Sequence, residues 1–338
     1  MGFDRGRFHA SADGARSGIV LLVPKPIIDA EQKELMQLLL DARVQQLIIF
    51  LRRGSLKHLD VNERLRHGEY KGYAPLHVAV MRGTSSIVAA LLELAHANPN
   101  TKAAKTQETA LHLAAAKGDV GQTKHLLERG AEVDALEAHR LTPLLVACSA
   151  GGKGTFHHLV ASELVTRGAS LTARDPNGDT PIHLACDSPL GLALVNEIIA
   201  RGLPKGLPDA LEALNGRGEG ILHRAIARGQ VEITTLLLEA GARSDTRSAD
   251  GDTAMHYAAR AGLVPIAELL LRNEKLALNA NNLAGETPLH LAMSGSSVAH
   301  AKVAMMLLAR GAFAYGRTRN GESVLHACAR EGNVALAK

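Results

Sequence analysis

Short apolar segments with the same polar residues around them recur along the chain, and each predicts the start of a helix. Four copies are nearly identical: QETALHLA (107–114), GDTPIHLA (178–185), GDTAMHYA (251–258) and GETPLHLA (285–292). In the last copy Thr287 is expected to cap the helix, and Pro288 sits in the first turn, where its missing N–H costs nothing. His290 falls at the third helical position, from which a side chain reaches back to the cap. Ala292 is small, which predicts a neighbouring helix packed closely against it.

The histidine of this phrase recurs with a period of about 33 residues plus insertions. The copies stand at His77, His112, His183, His223, His256, His290 and His326, and Leu145 takes the same place in one further copy. A leucine-rich segment ending in Gly-Ala follows, as in KHLLERGAEVD (124–134) and TLLLEAGARSD (235–245). Apolar residues at helical spacing, with glycine between the two segments, predict a helix, a tight turn, a second helix and a polar hairpin in each unit.

These two phrases resemble the ankyrin repeat, whose pattern is Thr-Pro-Leu-His-x-Ala in the first helix and Gly-Ala-Asp-Val-Asn after the second. The resemblance covers residues 73–338 as about eight repeats, with the last one truncated. It implies an all-α solenoid of stacked helix-turn-helix units with β-hairpin or loop fingers. In such an L-shaped stack the first helices line a concave face, and the fingers project from one edge.

The region before the first phrase also shows a helical pattern. Asp29 with Gln32 looks like a capping pair, and VQQLIIFLRRG (44–54) aligns with VEITTLLLEAG (231–241). We therefore expect residues 29–72 to form an N-terminal capping helix pair and an extended loop, and residues 1–28 to form a flexible tail. Two insertions, GGKGTFHHL (151–159) and LPKGLPDALEALNGRGEG (203–220), are expected to be loops.

Composition restricts the class of protein only moderately. The 338 residues are 46% hydrophobic but contain no Trp, which suits many thin helical layers better than one aromatic core. The net charge of +4 is too small to indicate nucleic-acid binding by itself. No apolar run approaches the roughly 20 residues of a transmembrane helix. The 3 cysteines show no disulfide framework, so we expect a reducing compartment, the cytoplasm with the nucleus as the alternative.

The candidate catalytic and metal-binding residues favour a structural role. Histidines repeated along a stack cannot converge on one substrate. The pair His157 and His158 is expected in a solvated loop, without the additional ligands that a metal site needs. Cys148, Cys186 and Cys328 occupy positions for small packed residues. AGGKGT (150–155) lacks the glycine and Ser/Thr positions of a phosphate-binding loop. We therefore predict no enzyme activity, no cofactor and no metal.

One cation per repeat is expected near the end of the first helix, and these cations are the candidate partner-binding residues. They are Arg82, Lys117, Arg228, Arg260 and Arg330. Two interpretations stay open. The helix dipole favours a cation at a C-terminus by about 0.3–1 kcal/mol, without any partner. Alternatively, the five form a basic ladder on the concave face, suited to an acidic peptide. The fingertips indicate exposure and turn chemistry only.

These observations favour a non-enzymatic module or scaffold that binds another protein through its concave helix face and fingers. A rigid stack buries its own apolar layers and leaves a long preorganised surface. The alternative is a regulatory or targeting arm of a larger enzyme or channel, because the repeat pattern stops within a unit at Lys338. We expect no nucleic-acid partner and no membrane insertion, and the sequence does not indicate whether the chain self-associates.

Overall fold

The computed structural model describes residues 25–52, 60–66, 68–150, 156–188, 191–202, 206–273 and 276–330. Within these ranges the chain forms eighteen α-helices, connected by turns and loops. The helices are α1 (Lys25–Leu40), α2 (Val44–Arg52), α3 (Pro75–Arg82), α4 (Ser85–Leu94), α5 (Ala110–Lys117), α6 (Val120–Glu128), α7 (Pro143–Ala150), α8 (His157–Thr166), α9 (Pro181–Asp187), α10 (Gly191–Gly202), α11 (Leu207–Glu212), α12 (Ile221–Ala227), α13 (Val231–Glu239), α14 (Ala254–Arg260), α15 (Val264–Leu270), α16 (Pro288–Met293), α17 (Val298–Ala309) and α18 (Val324–Arg330). The predicted all-α class is confirmed.

The repeated phrase forms the first helix of each repeat, as predicted. These first helices are α3, α5, α7, α9, α12, α14, α16 and α18. In α16 the Thr287 hydroxyl accepts from the His290 N–H, and Pro288 is the first helical residue. Ala292 is fully buried, which lets the neighbouring first helices α14 and α18 pack against α16. Short helices of this kind depend on such packing because they are marginal in isolation.

The chain divides into two compact units, residues 1–143 and 144–338. In the first unit α3 packs on α5 and α4 packs on α6. In the second unit the first helices pack in the order α9, α12, α14, α16 and α18, and the second helices α8, α10, α13, α15 and α17 follow in parallel. Each unit is therefore a row of first helices beside a row of second helices, with the apolar side chains buried between them.

The N-terminal helix begins earlier than the capping pattern predicted. α1 starts at Lys25, so Asp29 lies within the helix and is not its N-cap. The physical reason is Pro26, which is tolerated in a first turn and lets the helix begin ahead of Asp29. α1 packs on α3, and α2 packs on α4. Residues 1–24 of the predicted tail lie outside the described residues, as do residues 331–338 at the end of the truncated last repeat.

Two predicted loops are partly helical. In the insertion 203–220, α11 buries Leu207, Ala210 and Leu211 because these apolar residues have helical spacing. His157 is the first residue of α8 and is buried, so the expected solvated histidine loop is wrong. The reason is the apolar pattern of HHLVASELV (157–165), which continues the helix up to the two histidines.

The fingers are tight turns that bond to one another at their tips. Gly216 N donates to Asn177 O at 2.9 Å, and Leu283 N donates to Asp250 O at 2.8 Å. Arg319 N donates to Ala284 O at 2.9 Å. Among the described residues, regular pairing within a finger is limited to two isolated antiparallel bridges, at 214/220 and 317/323. Successive repeats are therefore joined at the fingers as well as in the apolar layers.

Candidate partner-binding surface

The repeated histidine ties each first helix to its own cap and, in five repeats, to the following finger. The Nδ1 atom lies 3.0–3.3 Å from the N-cap backbone nitrogen in all seven copies. Because that backbone N–H must donate, Nδ1 accepts and Nε2 carries the proton. Nε2 then donates to a carbonyl at the base of the next finger. The pairs are His77–Glu108, His112–Leu141, His183–Glu219, His256–Glu286 and His290–Gly316, at 3.0–3.2 Å.

Burial keeps these histidines neutral. It lowers the pKa of His77, His112, His183, His223, His256 and His290 below the ordinary value of 6.5, against smaller opposing effects of nearby backbone acceptors. In five of these six, the neutral imidazole accepts at Nδ1 and donates at Nε2, so both nitrogens are already used in the fold. His223 is hydrogen-bonded through Nδ1 alone among the described residues. The predicted structural role is therefore the one that the geometry supports.

The five candidate cations lie at the ends of first helices, but they occupy two different positions. Arg82, Lys117 and Arg228 stand five residues after the histidine of their repeat, whereas Arg260 and Arg330 stand four residues after it. The third, fourth and seventh repeats carry Ser-Ala, Asp-Ser and Ser-Gly at these two positions. The expectation of one cation per repeat is therefore wrong, because a first helix can end with no lysine or arginine at either position.

Cations at the earlier position fold back on an acid of the same repeat. Arg260 Nη2 lies 2.6 Å from Asp252 Oδ2, and Arg330 Nη2 lies 3.0 Å from Glu322 Oε2. Both acids directly precede the N-cap residue of the same first helix. The Arg260 side chain is 48% exposed while that of Asp252 is 1% exposed. The pair therefore presents its cation to solvent and buries its anion.

Cations at the later position reach an earlier part of the chain. Arg228 Nε lies 2.8 Å from Asp187 Oδ1 of the preceding repeat. Lys117 Nζ donates to Val80 O at 3.1 Å, so it caps the preceding first helix. Arg82 Nε donates to the Tyr70 hydroxyl oxygen at 2.6 Å. Arg82 and Lys117 belong to the first compact unit, and the other three cations belong to the second.

Arg224, which the sequence analysis missed, is mostly buried and lies at the centre of a charged cluster. Its guanidinium lies 3.0 Å from Asp179 Oδ2, 3.3 Å from Asp187 Oδ2 and 3.4 Å from Glu219 Oε2. Asp187 bridges Arg224 to Arg228. We call Arg224 and these three acids the Arg224 cluster.

Tyr257 extends the Arg224 cluster towards Arg260. The Tyr257 hydroxyl lies 3.4 Å from Glu219 Oε1, and Arg260 Cζ lies 5.8 Å from the centre of the Tyr257 ring. Arg228 and Arg260 are thereby brought into one connected network. A sequence signal for it exists at the position after the histidine. That position is apolar in six repeats, and only Arg224 and Tyr257 depart from the pattern.

Family comparisons agree with the repeated geometry. A model described as "Ankyrin repeats (3 copies)" matches residues 28–137, 111–209 and 189–282, and a second, "Ankyrin repeat", matches residues 284–314. The chain belongs to the ankyrin-repeat family. Ankyrin repeats are protein-interaction modules, and the resemblance inferred from the two phrases is confirmed.

Relatives show the same repeats within longer proteins. The chain is 28% identical to the ANK repeat-containing protein nipk-1 of Caenorhabditis elegans over 49% of its own length and 30% of that protein. It is 31% identical to human Rabankyrin-5 over 52% of its length and 14% of that protein. Over 68% of its length it is 25% identical to 20% of the human transient receptor potential cation channel subfamily A member 1. The chain thus spans less than a third of each of these relatives.

A solved ankyrin domain is similar in fold. The ankyrin repeat domain of Bcl-3, described as a unique member of the IkappaB protein family, aligns with a TM-score of 0.57 and 28% identity. The alignment covers 66% of this chain and 94% of that domain. This similarity supports the ankyrin fold, and it does not identify the partner of this chain.

Arginines in the fingers of these ankyrin repeats join neighbouring repeats. The sequence predicted only solvent exposure and turn formation for the fingertips. Arg247 Nη1 donates to Gly251 O of its own finger and, at 2.7 Å, to Asn281 O of the next. Arg174 makes the equivalent contacts with Gly178 O and Leu214 O. These arginines stabilise the array of fingers.

The remaining candidate sites of the ankyrin chain are buried or absent in the described ranges. Cys148, Cys186 and Cys328 are buried, as predicted, and burial raises the pKa of Cys148 and Cys186 to about 12. In the described part of the chain, no group of three or more His, Cys, Asp or Glu side chains is placed to hold a metal ion. No helix in that part is long and apolar enough to cross a membrane.

Proposed function

We propose that the chain is a non-enzymatic scaffold that binds an acidic segment of a partner protein through its first helices and fingers. The observation that carries the proposal is the outward-facing cation at the ends of first helices. Arg82, Arg228 and Arg260 are about half-exposed, and each is held by a contact within the protein. Guanidinium groups fixed in this way recognise carboxylates with little loss of side-chain freedom.

The five candidates do not contribute equally to this proposal. Lys117 donates to Val80 O and Gly83 O, so its ammonium is engaged in capping a helix. Arg82, Arg228, Arg260 and Arg330 retain exposed guanidinium groups. We therefore expect these four arginines to contact the partner and Lys117 to act chiefly on stability.

The test is affinity enrichment from a nuclease-treated lysate of the source cell, with the purified chain as bait. The variant bait carries Arg82→Gln, Arg228→Gln and Arg260→Gln. Glutamine removes the charge but keeps a donor, whereas glutamate at position 260 would face the buried Asp252 carboxylate. The control carries Arg129→Gln, Arg167→Gln and Arg201→Gln, which removes three similarly exposed charges from the ends of second helices.

The expected result is a specific protein retained by wild type and by the control but lost by the variant, at matched melting temperatures. Capture that is equal for all three baits would contradict the role of the first-helix cations. A partner that is lost equally by the variant and the control would show that total charge, and not this surface, attracts it.

A second function, as the targeting or regulatory arm of a larger protein, is favoured by the comparisons. The relatives are much longer than the matched region, and one of them is a cation channel. The test is an immunoblot of the source cell with antibodies against this chain. A band well above 35.7 kDa supports the arm, and a single band near that mass contradicts it. Cell fractionation in the same experiment tests the predicted cytoplasmic or nuclear location.

A further inference from the structure

We infer that the ends of α12 and α14 form a binding subsite for two carboxylate side chains of an extended acidic peptide, one on Arg228 and one on Arg260, with the Tyr257 ring beside Arg260. This inference rests on the proposed function and deepens it, because it assigns recognition to two of the cations. We call Arg228, Tyr257 and Arg260 the carboxylate subsite.

The sequence of the first helices sets this place apart. The residue after the repeated histidine is Val78, Leu113, Val146, Leu184, Leu291 or Ala327 in six repeats. In the two adjacent repeats of α12 and α14 it is Arg224 and Tyr257. Two neighbouring polar residues at a position that is otherwise apolar make a polar stretch bounded on either side by apolar residues.

The exposed and buried charges of the network differ in sign. The exposed groups are the cations, with Arg228 56% and Arg260 48% exposed. Their acidic partners are more deeply buried, Asp187 at 27% and Asp252 at 1%. Arg228 uses Nε for its acid, and Arg260 uses Nη2 for its own. The remaining N–H groups of each guanidinium have no acid contact among the described residues, so each arginine can donate to a second carboxylate.

The network also holds both cations in place before a partner arrives. Asp187 is shared by Arg228 and the mostly buried Arg224, which contacts two further acids. On the other side the Tyr257 ring lies between the Arg260 guanidinium and the His223 ring, at 5.8 and 4.9 Å. Preorganised donors lose less conformational freedom on binding than mobile ones.

The charge count favours spaced carboxylates over a dense polyanion. Arg224, Arg228 and Arg260 supply three positive charges, and the acids they contact supply four negative ones. The net charge of the network is thus −1, so attraction comes from direct bonds to the exposed guanidinium groups and not from a long-range positive field. α12 and α14 are packed neighbours, about 10 Å apart. An extended chain covers that distance in about three residues.

The experiment is a fluorescence-anisotropy titration of the full chain with a labelled peptide of four Gly-Ser-Glu triplets, and with a matched Gly-Ser-Gln peptide. We expect wild type to bind the glutamate peptide in preference. Arg228→Gln with Arg260→Gln should weaken that binding by on the order of tenfold, given two exposed ion pairs. The control, Arg167→Gln with Arg201→Gln, removes the same charge from the ends of two second helices and should change binding by less than about twofold.

Two results overturn the inference: equal binding of both peptides by wild type, or equal weakening by the control. If the glutamine pair lowers the melting temperature, Arg228→Lys with Arg260→Lys replaces it. The lysine variant keeps both positive charges but loses the planar guanidinium groups. Weakened binding of the glutamate peptide therefore still supports the subsite, and unchanged binding contradicts it. The lysate enrichment stands apart. If the bait with Arg228→Gln and Arg260→Gln still captures the partner, the subsite is refuted and the proposed function is not. If wild type captures no specific protein, the proposed function is refuted and the subsite is not.

Discussion

His256 joins two repeats through its two ring nitrogens: Nδ1 lies 3.1 Å from Thr253 N, and Nε2 lies 3.1 Å from Glu286 O. The first contact caps the helix that His256 belongs to, and the second reaches the base of the next finger. Because apolar packing between repeats is non-directional, this side chain and the hydrogen bonds between the fingers fix how one repeat sits on the next. The recurrence of the phrase follows from the recurrence of that junction.

Replacing His256 with alanine should lower the free energy of unfolding by about 2–4 kcal/mol. The substitution leaves the buried N–H and hydroxyl of Thr253 without their partner, whereas Glu286 O keeps its hydrogen bond from Asn282 N. Each buried polar group left unpaired costs about 1–3 kcal/mol. Partner binding should be unchanged once the protein is folded. Urea denaturation followed by circular dichroism measures the loss.

His326→Ala is the matched control for this substitution. His326 occupies the same position and lies 3.3 Å from Ser323 N, but its side chain is exposed. We expect its loss to cost no more than about 1 kcal/mol, the value of a cap alone. Equal losses at the two positions would show that the contact with the next finger contributes nothing.

Stability should fall as the pH falls below about 6.5, the ordinary histidine pKa. Six repeated histidines have lowered pKa values in the folded chain, chiefly because they are buried. Below pH 6.5 the unfolded chain therefore binds protons that the folded chain does not. Each group removes up to about 1.4 kcal/mol per pH unit until its folded pKa is reached, and the full contribution is present above pH 6.5.

Urea midpoints between pH 7.5 and 5.5 measure this dependence before most carboxylates titrate. The His256→Ala variant should lose one titrating group and show a shallower slope in the same range. A wild-type midpoint that stays constant from pH 7.5 to 5.5 would contradict the neutral, buried state of these side chains.

The fold was predictable because its signal is local and repeated. A histidine three residues after a threonine cap implies its hydrogen bond directly, and the period gives the stack. The Arg224 cluster was not predictable in the same way, because Asp179 and Arg224 are 45 residues apart and meet only when two repeats pack. The five cations lie at the ends of first helices, as the sequence predicted. Whether a cation stands four or five residues after the repeated histidine decides which acid it contacts.

Arg224→Leu should destabilise the chain by about 2–4 kcal/mol, although leucine occupies the same position in three other repeats. The substitution removes the cation from the buried Asp179 and from the partly buried Glu219, while Asp187 keeps its contact with Arg228. A buried carboxylate that loses its cation is costly. The exposed Arg201→Leu, whose Glu197 contact is 3.8 Å, should cost less than about 1 kcal/mol.

A double-mutant cycle separates charge from packing at this position. Asp179→Asn keeps an oxygen for Asn215, which donates to Asp179 at 2.8 Å, and removes one of the buried charges. Combined with Arg224→Leu it should recover about 0.5–3 kcal/mol relative to the sum of the two single changes. Strict additivity in urea denaturation would mean that Arg224 contributes through packing alone.

The fingers can be tested at Gly178, which combines a left-handed backbone with a close neighbour. Its φ is +78°, and an added Cβ would lie 2.5 Å from Gly216 N of the adjacent finger. Gly241 has a φ of +97°, with nothing within 4 Å of such a Cβ. Gly241→Ala therefore measures backbone strain, at about 1–2 kcal/mol. Gly178→Ala adds the displacement of the finger and its bond to Asn177 O, so we expect it to cost at least about 1 kcal/mol more. Urea midpoints compare the two variants, and equal losses would show that the contact between fingers yields freely.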